Sequence, residues 1–417
     1  MHLAHTLTGP RFDVSARSLP RVSRRAGFWA IAFSFLAVTA FSTAPSALYG
    51  LYARADHLAP VTLTVVYAVY VTGVTTSLLL AGHVSDWYGR KVVLIPALVV
   101  AAVAAVLFIA WQSLPGLLVA RVLTGLALGA TVATATAYIT DLDAGPGGGP
   151  TRRSEVVGTI GNVGGLAAGP LLSGVLARYA PDSLTLPFVV LLVALVAAVI
   201  AVALTPEGHP ATHPLPHYRP QRLTVPAQAR GQFTAAIAGI GLSFATWGLF
   251  AGLAGRFLAG PLHHPSPALT GLAIFVNFGV GVVVQITTAA WPARRRLAAG
   301  IPTIIVGLIV LVASAWTAPP SLALFLIAGL LTGAGASAIF RSSLGVVVSA
   351  ASADDRAGVL ATFFTVGYAA LSLPVLGLGI TLQYLSPQVT LLAFALVVGA
   401  GVLAAAPKLL RRPDGAR

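Results

Sequence analysis

Cysteine does not occur in this chain of 417 residues, and the single methionine is the first residue. Disulfides, thiol chemistry and thiolate metal sites are therefore excluded. Charge is scarce as well: Asp, Glu, Lys and Arg make up 9% of the residues, against about 25% in an average soluble protein. A soluble fold of this size needs a charged surface that this sequence cannot provide. Acids are scarcest, with 11 Asp and Glu against 25 Lys and Arg, and only Lys91 and Lys408 among the latter are lysine. A net charge of +14 in a soluble domain would raise nucleic acid as a partner. Here the arginines lie in short groups between apolar blocks, no face gathers them and no nucleic-acid motif holds them.

What the chain has in quantity is apolar. Hydrophobic residues are 57% of the total and the mean hydropathy is +0.89. They fall into blocks near twenty residues long, the length at which a helix crosses about 30 Å of hydrocarbon. The expected spans are 27–50, 60–82, 92–112, 115–140, 155–178 and 186–205, then 232–256, 268–290, 297–317, 321–350, 357–382 and 386–406. The first block is too long for the apolar region of a cleaved signal, and many spans follow it. The fold class is an all-α integral membrane protein with twelve transmembrane helices in two six-helix halves. Residues 1–26 form an N-terminal arm, 27–205 the first half, 206–231 a linker, 232–406 the second half and 407–417 a tail. The linker is rich in proline (Pro206, Pro210, Pro214, Pro216, Pro220, Pro226) and joins the halves without a fold of its own. Its His209, His213 and His217 stand four apart, but the interleaved prolines forbid the helix that would gather them on a metal. No metal or cofactor is expected.

Counting charge along the spans sets the orientation. With the N-terminus in the cytoplasm, twenty Lys and Arg lie on that side and three (Arg54, Arg178, Arg256) opposite, with Arg121 and Arg341 inside spans. This bias obeys the positive-inside rule and requires an even helix count. Arginine in place of lysine, with abundant Ala, Gly and Pro, fits a GC-rich bacterial genome. The expected location is a bacterial inner membrane with both termini cytoplasmic.

Three stretches carry function. The loop after the second span reads Gly82-His-Val-Ser-Asp86-Trp-Tyr-Gly89-Arg90-Lys91. Its glycines let two helices turn closely, and Asp86 can accept from the following helix end or a basic partner. The loop resembles that of the major facilitator superfamily, G-x-x-x-D-R-x-G-R-R/K, with Trp87 where the family has arginine. The fourth span carries Arg121-Val-Leu-Thr-Gly125-Leu-Ala-Leu-Gly129. Glycines four apart are a packing signal, whereas an arginine inside a span costs about 2.5–3.5 kcal/mol or more unless it snorkels, meets water or finds a partner. The stretch is similar to the superfamily's R-x-x-x-G-x-x-x-G, whose arginine is associated with proton coupling in drug antiporters. The fifth span contains Gly165, Gly169, Pro170, Ser173 and Gly174, where the proline bends the helix and the glycines pack the bend. It resembles the antiporter motif G-x-x-x-G-P-x-x-G-G, which marks exporters and exchangers.

The resemblance implies two pseudo-symmetric halves around a central cavity and alternating access by rocking. It implies a gate at Gly82, Asp86, Gly89, Arg90 and Lys91, with Asp141 at the end of the fourth span as partner of Arg90. The function it implies is export of a small hydrophobic or amphipathic, drug-like compound in exchange for protons. A metabolite or sugar carrier is the alternative, and a non-transporting sensor or scaffold a remote one. An enzyme is not expected, because nucleophiles, histidines and carboxylates do not cluster at membrane depth. Partners are a small-molecule substrate, protons and the lipid bilayer, and the expected state is a monomer. Proton coupling needs a group that loads and releases a proton, yet none of the eleven acids falls at mid-membrane. The coupling candidates are Arg121 with the boundary acids Asp56 and Glu155, Asp141 doubling as an inner one. Cavity candidates are the polar and aromatic residues within spans: Phe33, Phe41, Tyr67, Tyr70, Tyr138, Asn162, Trp247, Asn277, Gln285, Arg341 and Tyr368. The pseudo-repeat of the gating loop, Trp291-Pro-Ala-Arg-Arg-Arg296, lacks the acid.

Overall fold

In lipid a backbone can satisfy its polar groups only within itself, so a chain of apolar blocks resolves into helices. The computed structural model describes residues 22–55, 57–82, 84–145, 148–209, 218–225, 230–351 and 356–410, and among these no strand occurs. Twelve helices are long and apolar enough to span: α1 (Arg24–Ala47), α2 (Pro60–Leu80), α3 (Arg90–Ala110), α4 (Leu114–Ala144), α5 (Arg152–Tyr179) and α6 (Leu186–Leu204). The second set is α7 (Arg230–Ala259), α8 (Pro267–Thr287), α9 (Ala293–Trp316), α10 (Leu322–Ala350), α11 (Arg356–Thr381) and α12 (Pro387–Leu410). They begin and end within about four residues of the expected spans. Helix starts follow local chemistry. Ser23, Ser266 and Ser321 accept from the backbone N–H three residues on, and prolines occupy the first or second position of α2, α4, α6 and α8, where no intrahelical donor is lost.

The same helix pairs recur six helices apart. In the first half α3 packs on α4 and α6, α2 on α4, and α1 on α4, α5 and α6. In the second, α9 packs on α10 and α12, α8 on α10, and α7 on α10, α11 and α12. The halves meet along α5 with α8 and α2 with α11, which are one pairing repeated by the pseudo-twofold. Helices α3, α6, α9 and α12 lie outermost and leave Val103, Val193, Ile309 and Val397 among their exposed apolar residues, the surface a bilayer would cover.

One end of the bundle carries the first residue of α1, the α2–α3 loop and the last residue of α12, and is called here the terminal face; the other is the far face. The halves approach most closely toward the far face. A Cβ on Gly174 would stand 2.3 Å from the Pro267 carbonyl oxygen, one on Gly271 2.2 Å from that of Pro170, and one on Gly379 2.3 Å from Thr64 Oγ1. Nearer the terminal face the approach loosens: Gly164 has only the Val282 methyl of α8, at 3.8 Å from where its Cβ would stand. Helices α4 and α10 share no extended contact. The molecule is therefore pinched at the far face and less tightly joined at the terminal face.

Candidate functional site

Between the halves, at the level of Arg121, lies a cavity of about 50 Å³. Its first-half wall is Ser42, Thr43, Ser46, Tyr67, Tyr70, Arg121 and Asn162, with aliphatic residues of α4 and α5; its second-half wall is Phe244, Trp247, Phe278, Phe340, Phe364 and Tyr368. That space suits one or two waters and is far below the several hundred Å³ of a drug-sized site. Its aromatic rings have closed on one another. Trp247 lies 5.1 Å from Phe244, 5.5 Å from Phe278 and 5.5 Å from Phe340, and Tyr368 packs edge-on to Phe244 at 5.6 Å. A substrate must part these rings to enter. Ser46 Oγ and Trp247 Nε1 on this wall are buried without a hydrogen-bond partner.

Arg121 is 1% exposed, so it does not snorkel to the boundary. Its guanidinium donates to the carbonyls of Ser42 (2.7 Å), Val66 (3.3 Å) and Tyr67 (3.4 Å) and lies 4.5 Å from the Tyr70 ring centroid. The Ser42 carbonyl is freed where α1 tightens into a 3₁₀ turn over Ala44–Ala47, around Pro45. Gly125 and Gly129 of the same motif are the α2 crossing: a Cβ would stand 1.9 Å from the Tyr70 carbonyl oxygen and 2.8 Å from that of Val74.

The α5 motif organises the opposite side. Pro170 has no N–H for the carbonyl four residues back, Leu166, and Thr43 Oγ1 donates to that carbonyl instead (3.0 Å). A single π turn, Ile160–Gly164, precedes it, and Thr39 Oγ1 donates to the Gly161 carbonyl (2.6 Å). Gly165 and Gly169 pack on α1, Gly174 on α8, and Ser173 Oγ donates to the Ala44 carbonyl (2.7 Å). The residues of this motif thus join α5 to the cavity-lining helix α1 and to the other half.

At the terminal face, Gly89 takes φ +98°, a conformation that favours glycine. Arg90, which follows it, is 6% exposed. Its Nε donates to Asp141 (2.8 Å), and its Nη1 to Ser85 Oγ (3.1 Å) and to Asp86. A Cβ on Gly82 would stand 2.8 Å from the Leu78 carbonyl oxygen, and Lys91 Nζ donates to the Ala203 carbonyl (2.8 Å). Two partners of this cluster escaped the sequence reading. Glu207 accepts from the backbone N–H of Arg90 (3.0 Å) and Lys91 (3.2 Å), supplying the carboxylate that the N-terminus of α3 favours. Arg24 donates to the Asp141 carbonyl (2.6 Å). The signal was an acid closely following α6, legible only once α3 and α6 are known to be neighbours. In the pseudo-repeat, where no acid exists, Arg296 donates to the Trp291 carbonyl (2.6 Å) and Ser342 Oγ (3.3 Å).

Of the residues expected on the cavity, Tyr67, Tyr70, Asn162, Trp247 and Tyr368 line it, and the others do not. Phe33 is 40% exposed and sits ten residues, about 15 Å, from Thr43 toward the terminal face. Phe41 is buried inside the first half, 6.1 Å from Phe108. Tyr138 donates to the Pro206 carbonyl (2.7 Å), tying α4 to the linker entry. Asn277 donates to Gly329 O (2.9 Å) and Thr332 Oγ1 (3.2 Å), joining α8 to α10. Gln285 is buried in α8 away from the cavity wall. Arg341 pairs with Glu155 across the halves at 3.4 Å, so neither residue lines the cavity. Asp56 lies outside the described residues, as do His213 and His217. Among the described residues no group of His, Cys, Asp and Glu could hold a metal, and no Asp or Glu lines the cavity. The sequence reading missed Ser42, Thr43 and Ser46 and the four phenylalanines of the second-half wall.

Solved structures share this architecture. A variant of the peptide transporter POT superposes with a TM-score of 0.73 at 14% identity, covering 94% of this chain and 96% of that one. The human organic anion transporter MFSD10 gives 0.65 at 15% identity over 93% and 100%. A variant of the nucleoside transporter NupG gives 0.65 at 12% over 92% and 99%. At such identities the likeness speaks to the fold alone. No curated protein sequence matches the chain. The sequence profile described as "Major Facilitator Superfamily" matches residues 28–319, and with twelve helices in two pseudo-symmetric halves around a closed cavity, the chain belongs to that superfamily of membrane transporters.

Proposed function

We propose that this transporter exports a small amphipathic compound with an aromatic or otherwise flat apolar body, by alternating access. The observation that carries the reading is the wall of eight aromatic rings (Tyr67, Tyr70, Phe244, Trp247, Phe278, Phe340, Phe364, Tyr368) that meet where the two halves join. The terminal face is the cytoplasmic one by charge bias, so the pinched far face describes a form closed to the outside. The α5 motif supports exchange, with protons as counter-ion; Asp141 and Glu155 at the terminal face are then the groups that load them. A metabolite carrier is the second reading, favoured by Arg121 and the unpartnered Ser46 and Trp247 groups, which a purely hydrophobic drug would leave unpaired.

The test is flux of aromatic amphipaths through proteoliposomes. Trp247→Ala and Tyr368→Ala should each lower flux about tenfold, the worth of roughly 1.4 kcal/mol of aromatic contact. Absence of flux for every amphipath tried, with folded protein, refutes the reading. Orientation is checked separately: a cysteine placed at Tyr218 in this cysteine-free chain should resist impermeant thiol reagents in intact cells, and ready labelling would reverse the assignment.

A further inference from the structure

The polar complement of the cavity is one-sided. Arg121 brings a permanent positive charge and five N–H groups. Three of its described hydrogen bonds are to backbone carbonyls, and no Asp or Glu among the described residues forms an ion pair with it. Trp247 Nε1 adds a buried donor with no acceptor, and Ser46 Oγ a buried hydroxyl with no partner. Against these the wall offers hydroxyls and the Asn162 amide as acceptors, and no Asp or Glu among the described residues. A buried unpaired charge is costly, and the arrangement persists most cheaply where the ligand supplies the opposite sign.

A second observation extends the pattern. Between the far-face ends of α1 and α7 opens a vestibule of about 380 Å³, which shares Ser46 with the central cavity. It is lined by Arg54 from the first half and Arg256 from the second, and again by no described acid; Asp56, two residues from Arg54, lies outside the described residues. These are two of the three arginines on the side that the positive-inside rule leaves poor in positive charge, so topology does not account for them.

We propose that the transported compound is an organic anion, an aromatic or amphipathic body bearing one carboxylate-like acidic group. Arg121 is its counter-ion in the central cavity, and Arg54 with Arg256 draws it out along the far-face vestibule. This rests on the aromatic-walled cavity being the substrate site and adds the charge class. A bidentate, charge-assisted pair with Arg121 fixes the acidic head while the rings of Trp247 and Tyr368 take the body.

The experiment uses reconstituted full-length protein and matched triplets of phenyl, naphthyl and indolyl acetates, their primary amides and the corresponding amines. Binding is read by isothermal titration calorimetry and transport by flux. The acids should bind about tenfold or more tightly than their amides, and the amines most weakly. Arg121→Gln should abolish the preference for acid over amide. Arg54→Gln combined with Arg256→Gln should slow acid flux at low salt and flatten its dependence on ionic strength. Should Arg121→Gln fail to fold, the wild-type ranking and the salt profile of the vestibule double variant still decide. Amides or amines binding as tightly as acids, yet losing affinity in Trp247→Ala, would overturn the anion assignment and leave the amphipath reading standing. No binding or flux by any member of any triplet would overturn both.

Discussion

Arg90 and Arg121 show how two arginines of one half are kept at membrane boundary and membrane core by different means. Arg90 is neutralised by Asp86 and Asp141, but the two acids are unequal: the Asp141 side chain is 12% exposed and that of Asp86 58%. Losing the buried partner leaves a buried charge unpaired, at a cost of about 3 kcal/mol, while an exposed partner is worth about 0–1 kcal/mol. Asp141→Asn should therefore lower thermal stability in detergent clearly more than Asp86→Asn. Equal losses would mean that Arg90 is held by Ser85 and the loop backbone instead. Asp86→Asn and Arg90→Ala are both expected to abolish turnover with expression intact, measured by flux against quantified protein. Asp86 and Arg90 share a stretch of five residues, which is why the sequence marks both as one loop. Glu207 and Arg24 lie more than a hundred residues from their partners, and no local pattern marks them.

Among the helices, α5 carries the most information per residue. Its glycines are spaced to meet α1 and then α8, and its proline frees the carbonyl that Thr43 takes up. Gly174→Ala would place a methyl 2.3 Å from the Pro267 carbonyl oxygen, which cannot yield as a side-chain tip can. The far-face closure should loosen, so that a cysteine introduced at Arg54 reacts several-fold faster with a soluble thiol reagent. Gly158→Ala on the same helix has nothing within 4 Å and should leave that rate unchanged. An unaltered rate in Gly174→Ala would show that α5 and α8 do not form the far-face seal.

At the scale of the whole molecule, the one ion pair between halves among the described residues is Arg341 with Glu155, at the terminal face. Both side chains are partly exposed, 24% and 48%, so the pair is worth at most about 1 kcal/mol. That is a few-fold shift between states, the size of bias a transporter needs without being locked. Glu155→Gln should open the terminal face several-fold more often, seen as a longer spin-label distance between α5 and α10. The exchanged pair, Glu155→Arg with Arg341→Glu, should restore the wild-type distribution. If the distances stay fixed in Glu155→Gln, the pair has no part in gating.

Local chemistry sets the helix count, the helix ends to within about four residues and the six-and-six division, because hydrocarbon leaves each backbone no partner but itself and so makes every span a local decision. The Gly82–Lys91 loop and the packing glycines of α4 and α5 are legible for the same reason, since their spacing falls within a few turns of one chain. Which aromatics face the cavity was decided only by tertiary structure. A membrane helix is apolar toward lipid and toward protein alike, so its sequence does not mark an inward face. Phe33, Phe41 and Tyr67 are alike in composition of surroundings, yet one is exposed toward the terminal face, one is buried within its half and one lines the cavity. The same holds for Arg341, whose partner belongs to the other half. What a residue meets across the pseudo-twofold depends on how two six-helix bodies dock, and that docking brings together positions more than a hundred residues apart.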